Sequence, residues 1–245
     1  MLASTFAFVL HTTNYSESSV IAKMLTRTWG VKSFMVKGVR GGKSRNKQNL
    51  LQPMSYLEMS VYWNEKAEIQ FAKELKPAMQ WNTIPYSCEK TAIIFFINEL
   101  LYKTIREEEP NPPLFDFVLE TLSALDEDHC MISDFPIRFL IKAARQFGIE
   151  PLDNFSANKP HFNMQNGCFE SAEGHYSTSS ETLLDTGSSL LLHKYLNIND
   201  LYKESLQTSY PERNKLLTDM TDYFRIHLSN LSDFKSQAIL HEILR

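Results

Sequence analysis

Eight cations, Lys23, Arg27, Lys32, Lys37, Arg40, Lys43, Arg45 and Lys47, occur in 25 residues with no acidic residue among them. Such a run creates a local field that attracts polyanions, whatever the charge of the rest of the chain. Its end, Gly42-Lys43-Ser44, matches the close of a phosphate-binding loop. However, the pattern G-x-x-x-x-G-K-[ST] requires glycine at position 37, where this chain has lysine, and the next segment reads as leading to Pro53 and a strand rather than into a helix. The better reading is a basic hairpin loop that tracks a sugar-phosphate backbone, its glycines allowing close approach. Trp29, Phe34, Tyr56, Tyr62 and Trp63 lie among or near these charges, as stacking platforms for single strands do. Alternation puts Phe34 and Val36 on one strand face and Met35 and Lys37 on the other, so Phe34 suits a barrel interior equally well.

The search for catalytic chemistry returns little. His241-Glu242-Ile243-Leu244-Arg245 opens like a zinc-protease helix but ends in arginine where a second histidine is needed. Neither G-x-S-x-G nor G-x-G-x-x-G occurs. The acidic clusters Glu107 to Glu109 and Asp126 to Asp128 read as helix boundaries, and the adjacent His129-Cys130 completes no ligand set. Arg138, Lys142 and Arg145 are spaced by four and three, which puts them on one helix face beside Phe139, Leu140 and Phe147, a candidate site for an acidic peptide or an ordinary solvated face. Cys88, Cys130 and Cys168 are far apart and odd in number, which suits a reducing cytosol.

The elements that must position these residues fall into two regions. Residues 1–80 carry 11 Lys and Arg against five Asp and Glu, a net +6 that leaves −10 for residues 81–245. Loosely alternating segments, Thr5 to His11, Ser18 to Arg27, Lys32 to Val39, Met54 to Trp63 and Glu68 to Leu75, predict about five strands. Five short strands without a crossover helix predict a small β-barrel such as an OB-fold, with a β-sandwich as the competitor. The stretch from Gly41 to Gln48 reads as a flexible loop. After Pro77 the period becomes helical, giving a boundary near residue 80. Helices are expected over Glu89 to Glu107, Leu114 to Leu125, Phe135 to Phe147, Ser180 to Tyr195, Pro211 to Leu228 and from Ser236 onward, with an irregular segment at about 150–180. The fold class is thus α+β and multidomain, an N-terminal barrel at 1–80 followed by a mostly helical domain at 81–245. The longest apolar run, Ala92 to Ile97, is far below the roughly 20 residues of a membrane span.

Several strings together resemble the RecO family. In the first region they are Val9-Leu10-His11, Tyr15-Ser16-Glu17-Ser18, Leu25-Thr26 before Gly30, Val36-Lys37-Gly38-Val39-Arg40 and Leu51-Gln52-Pro53. In the second they are Asn98-Glu99-Leu100-Leu101, Pro110-Asn111 before Leu114-Phe115-Asp116, and Phe139-Leu140 before Gly148-Ile149-Glu150-Pro151. The resemblance implies an OB-fold joined to a helical domain, a cytoplasmic, nucleoid-associated protein that binds single- and double-stranded DNA, and annealing of complementary strands without an active site. It also implies RecR, the C-terminal tail of single-stranded DNA-binding protein and, indirectly, RecA as partners; the helix with Arg138, Lys142 and Arg145 is the expected tail site. Many family members carry a four-cysteine zinc site after the turn that is here Gly148 to Pro151. This chain keeps only Cys168 there, with His161 and His175, so no zinc or other cofactor is expected. An interaction scaffold with incidental DNA contact, and a nucleic-acid enzyme with an unfamiliar site, are the alternative readings.

Overall fold

The computed structural model describes residues 1–39, 45–105, 109–171, 182–198, 206–228, 231 and 234–245. The alternating N-terminal segments form β1 (Leu2–Asn14), β2 (Ser19–Thr26), β3 (Gly30–Lys37), β4 (Tyr56–Tyr62) and β5 (Ile69–Pro77). They close into a barrel in the order β1-β2-β3-β5-β4, which settles the choice between barrel and sandwich. β1 is long enough to serve two neighbours: its first half pairs with β4 and its second half with β2. All pairings are antiparallel except the closing one, β3 with β5, which runs parallel from Ser33↔Ile69 to Met35↔Phe71. Alternate residues point inward, so Ala7, Val9, Val20, Ala22, Met24, Phe34, Val36, Leu57, Met59 and Val61 fill the interior.

The stretch read from sequence as a flexible loop departs from that expectation. Its last part forms a short helix, α1 (Arg45–Leu50), between β3 and β4. A helix does therefore follow the Gly-Lys-Ser string, and the case against a phosphate-binding loop rests on Lys37 and on the brevity of α1. The segment is held because Leu51 is buried in the barrel core and Leu50 packs against it, contacts that a polar stretch in isolation does not foretell.

Two compact units account for the chain: residues 1–87 with 94–126, and residues 88–93 with 127–245. In the first, the barrel packs with the later part of α2 (Cys88–Thr104) and with α3 (Pro112–Asp126). The register of β1 slips between Val9 and His11, and the Leu10 carbonyl freed there accepts a hydrogen bond from Asn98 Nδ2 at 3.0 Å. Phe8 stacks on Tyr56 and meets Phe115 of α3.

The second unit is built on α4 (Phe135–Gln146), α5 (Thr186–Leu196), α6 (Tyr210–His227) and α7 (Lys235–Ile243). The segment expected to be irregular contains a small hairpin, β6 (His161–Asn163) and β7 (Cys168–Glu170). Its inward rings, Phe162 and Phe169, pack edge to face at 5.1 Å; Phe162 also meets Tyr223 of α6, and Phe169 meets Phe155. An aromatic cluster anchors the hairpin to the helices. No described helix is long and apolar enough to cross a membrane.

Candidate nucleic-acid interface

The strand pattern distributes the eight cations unevenly. Lys37, at the end of β3, and Lys47, on α1, are both exposed, and Lys47 Nζ donates to the Lys37 carbonyl at 3.3 Å. Arg27 is bound to Asp116 of α3 at 3.0 Å. Lys23 is half-buried with its ammonium 5.5 Å from the centre of the Tyr102 ring, and Lys32 is half-buried on the strand face that carries Phe34. Arg40 and Lys43 lie outside the described residues, and Arg45 is described only as the first residue of α1.

Around Lys37 and Lys47 the barrel opens into a groove of about 950 Å³. Its origin is the shortness of the closing pair. β3 and β5 bond only as far as Met35 and Phe71, and the space between Val36-Lys37 and Ala72 to Leu75 is left open. On the other side of β5 the register against β4 passes from Ser60↔Glu74 to Val61↔Ala72, so Lys73 is the extra residue of a bulge. Bulges re-aim side chains, and Lys73 Nζ lies 5.8 Å from the centre of the Tyr62 ring, inside cation–π range. Lys37 Nζ caps the Phe71 ring in the same way at 5.1 Å. Tyr62 and Phe71 are cross-strand partners, 53% and 45% exposed. Glu74 also lines the groove but is paired with Lys76 at 3.3 Å.

Of the aromatic residues singled out from sequence, Phe34 is wholly buried in the core, Tyr56 packs with Phe8, and Trp29 stacks on Trp63 at 4.2 Å. Tyr62 alone of the five faces the groove. Phe71 and Lys73 were missed, because their partnership with Lys37 depends on a non-local parallel pairing and a bulge. The available signal was the Gln70-Phe71-Ala72-Lys73 alternation, which puts an aromatic residue and a cation on the same nominal face as Leu75.

In the helical unit, the expected cationic face of α4 is corrected in one respect. Arg138 is completely buried, pairs with Asp134 at 2.6 Å and lies against the Tyr195 ring; the Tyr195 hydroxyl donates to the same carboxylate. Pro136, Ile137, Phe139 and Leu140 flank it on both sides in the core, so its place on the helix turns it inward. Lys142 is half-buried, and Arg145 is exposed with Glu150 at 4.0 Å. A cleft lined by Pro136, Ile137, Arg213, Leu240 and His241 encloses only about 20 Å³, room for little more than one water.

Among the described residues no three His, Cys, Asp or Glu side chains converge as a metal site. His161 Nδ1 is 3.3 Å from the Leu184 carbonyl, and Cys168 Sγ faces Glu170 at 3.7 Å. His175 lies outside the described residues. Burial and the Glu170 charge raise the Cys168 pKa, and burial pushes the Cys130 thiol up to about 11. The four-cysteine site does not fit the residues present.

Comparison with known proteins gives consistent matches along the chain. The family model described as Recombination protein O N terminal matches residues 1–81, and Recombination protein O C terminal matches residues 86–230. DNA repair protein RecO of Phocaeicola vulgatus is 33% identical, with 99% of each chain covered. The proteins of the same name from Bacteroides fragilis and Flavobacterium johnsoniae are 31% and 33% identical over 99% of each chain.

Proposed function

The chain belongs to the RecO family of DNA repair proteins, and from that premise we propose that it binds single- and double-stranded DNA, anneals complementary strands and helps load RecA onto DNA coated by single-stranded DNA-binding protein. The observation that carries the DNA-contact part of this reading is the convergence of Lys37, Lys47 and Lys73, from three different elements, on one groove of a small barrel. In this reading residues 1–80 are the DNA-binding domain and residues 81–245 the helical domain that engages partners.

Annealing makes and breaks no covalent bond, so the protein acts without catalytic residues. Two strands repel through their phosphates; cationic protein surface lowers that repulsion, while contacts confined to the backbone leave base edges free to pair. Lys23 and Arg27 extend the cationic surface beyond the groove, and Lys32, Arg40, Lys43 and Arg45 belong to the same basic segment. Arg27 takes part only by exchanging Asp116 for a phosphate. RecR is the proposed partner in loading. For the acidic, apolar C-terminal tail of single-stranded DNA-binding protein, the proposed contact on α4 is Lys142 and Arg145; Arg138 supports that helix from within. No cofactor is required, and the protein works in the cytoplasm at the nucleoid.

Fluorescence anisotropy of labelled single-stranded and duplex oligonucleotides across a salt series tests the DNA reading. Affinity is expected for both, little dependent on sequence, with log K falling linearly against log salt as counterions are released. Affinity that does not change with salt, or absence of binding at low salt, would contradict it.

A further inference from the structure

We infer that the groove between β3 and β5 is a subsite for unpaired bases, in which Tyr62 and Phe71 stack against the bases of a single DNA strand while Lys37, Lys47 and Lys73 take its phosphates; this assignment rests on the DNA-binding reading above. Other cations of the basic segment contact backbone alone and do not distinguish one strand from two. The groove does.

The first support is the exposure of the rings. Tyr62 and Phe71 stand on the outer face of the barrel, about half open to solvent and side by side across the β4–β5 register. Directly opposed residues have their Cβ atoms about 5 Å apart, so the two side chains rise from neighbouring points on one face of the sheet. Apolar surface kept in water next to a cleft marks a contact site.

Charge selects the occupant. Among the described residues three lysines line the groove, and the one lining carboxylate, Glu74, is already paired with Lys76. An anion is therefore preferred, and one that also offers flat aromatic surface satisfies both halves of the site. The volume, about 950 Å³, is at the upper end of the ~300–1,000 Å³ typical of clefts that hold organic ligands.

The cation–π pairs supply the exchange. With the groove open, Lys37 covers the Phe71 ring and Lys73 approaches the Tyr62 ring. A nucleotide brings a phosphate for the ammonium and a base for the ring. Each flexible lysine stem swings to the phosphate, and the base replaces it on the aromatic face. A duplex offers phosphates but keeps its bases stacked inside, so it can engage the lysines and not the platform. Stacking of this kind tolerates every base, because each has a π-face.

The test compares three fluorescein-labelled probes of equal length: oligo-dT, an abasic strand with the same phosphates and no bases, and a duplex. Wild type is expected to bind oligo-dT on the order of tenfold more tightly than the abasic strand. The pair Tyr62→Leu and Phe71→Leu should erase that difference and leave abasic and duplex binding unchanged. The triple change Lys37→Gln, Lys47→Gln and Lys73→Gln should weaken all three probes and reduce the steepness of the salt dependence by about 2 for single strands. Phe71→Trp keeps a platform, and its added fluorescence should be quenched by oligo-dT but not by the abasic strand, which provides a readout if the leucine pair folds poorly. Full affinity of the leucine pair for oligo-dT, or equal quenching of Phe71→Trp by both strands, would overturn the subsite while leaving DNA binding intact. Failure of wild type to bind any probe would overturn the DNA reading itself, and the subsite with it.

Discussion

Arg138 illustrates how far a single residue's role depends on its surroundings. Spacing by four and three correctly places Arg138, Lys142 and Arg145 along one helix, but spacing cannot say which way a face turns once neighbours pack on it. The usable sign lay four residues earlier, at Asp134, which pairs with Arg138 inside the core. Tyr195 completes the group by donating to that carboxylate, and burial together with the Asp134 charge raises the Tyr195 pKa, keeping it a neutral donor. Replacing one partner of a buried pair leaves the other charge uncompensated, at a cost of about 3–5 kcal/mol. Arg138→Met is therefore expected to lower the unfolding free energy by about that amount in urea titrations, whereas a surface cation would give a change within about 0.5 kcal/mol. A loss in the smaller range would contradict the buried pair.

Elements differed in how much of them could be read from the sequence. The five barrel strands were legible because half of each faces a core, which imposes apolar residues at every second position. The later helices were legible for the corresponding reason at a period near four. α1 was hidden because its six residues, Arg45–Leu50, contain one apolar side chain and no amphipathic pattern. The β6–β7 hairpin was hidden because strands of three residues are too short to show alternation. Its turn depends on Gly167, which has a φ of +65° and sits where an added Cβ would lie 2.9 Å from the Tyr223 hydroxyl. That hydroxyl donates to the Ile149 carbonyl, so it is not free to retreat without losing a bond. Gly167→Ala should accordingly cost about 1–3 kcal/mol from backbone strain and crowding together, seen as a lower thermal midpoint, while Gly148→Ala, at a similar φ but with open space around it, should cost less. Equal losses at the two positions would show that contact with Tyr223 contributes nothing.

At the scale of the whole molecule the governing feature is charge segregation, a basic first third on a chain with a net charge of −4. This was visible without any structure, as was the N-terminal barrel. The groove was not visible, because it arises from what the barrel fails to do: β3 and β5 stop pairing after Met35 and Phe71, and a bulge turns Lys73 toward the opening. Linear sequence records neither event. The central claim is that the basic N-terminal segment brings DNA strands together. Its most direct test is annealing of two complementary fluorescent oligonucleotides, one coated with the cognate single-stranded DNA-binding protein, by wild type and by a variant with Arg40, Lys43, Arg45 and Lys47 all changed to glutamine. Wild type should accelerate annealing, less so as salt rises, and the folded variant should not; equal acceleration by both proteins, or none by wild type, would contradict the account.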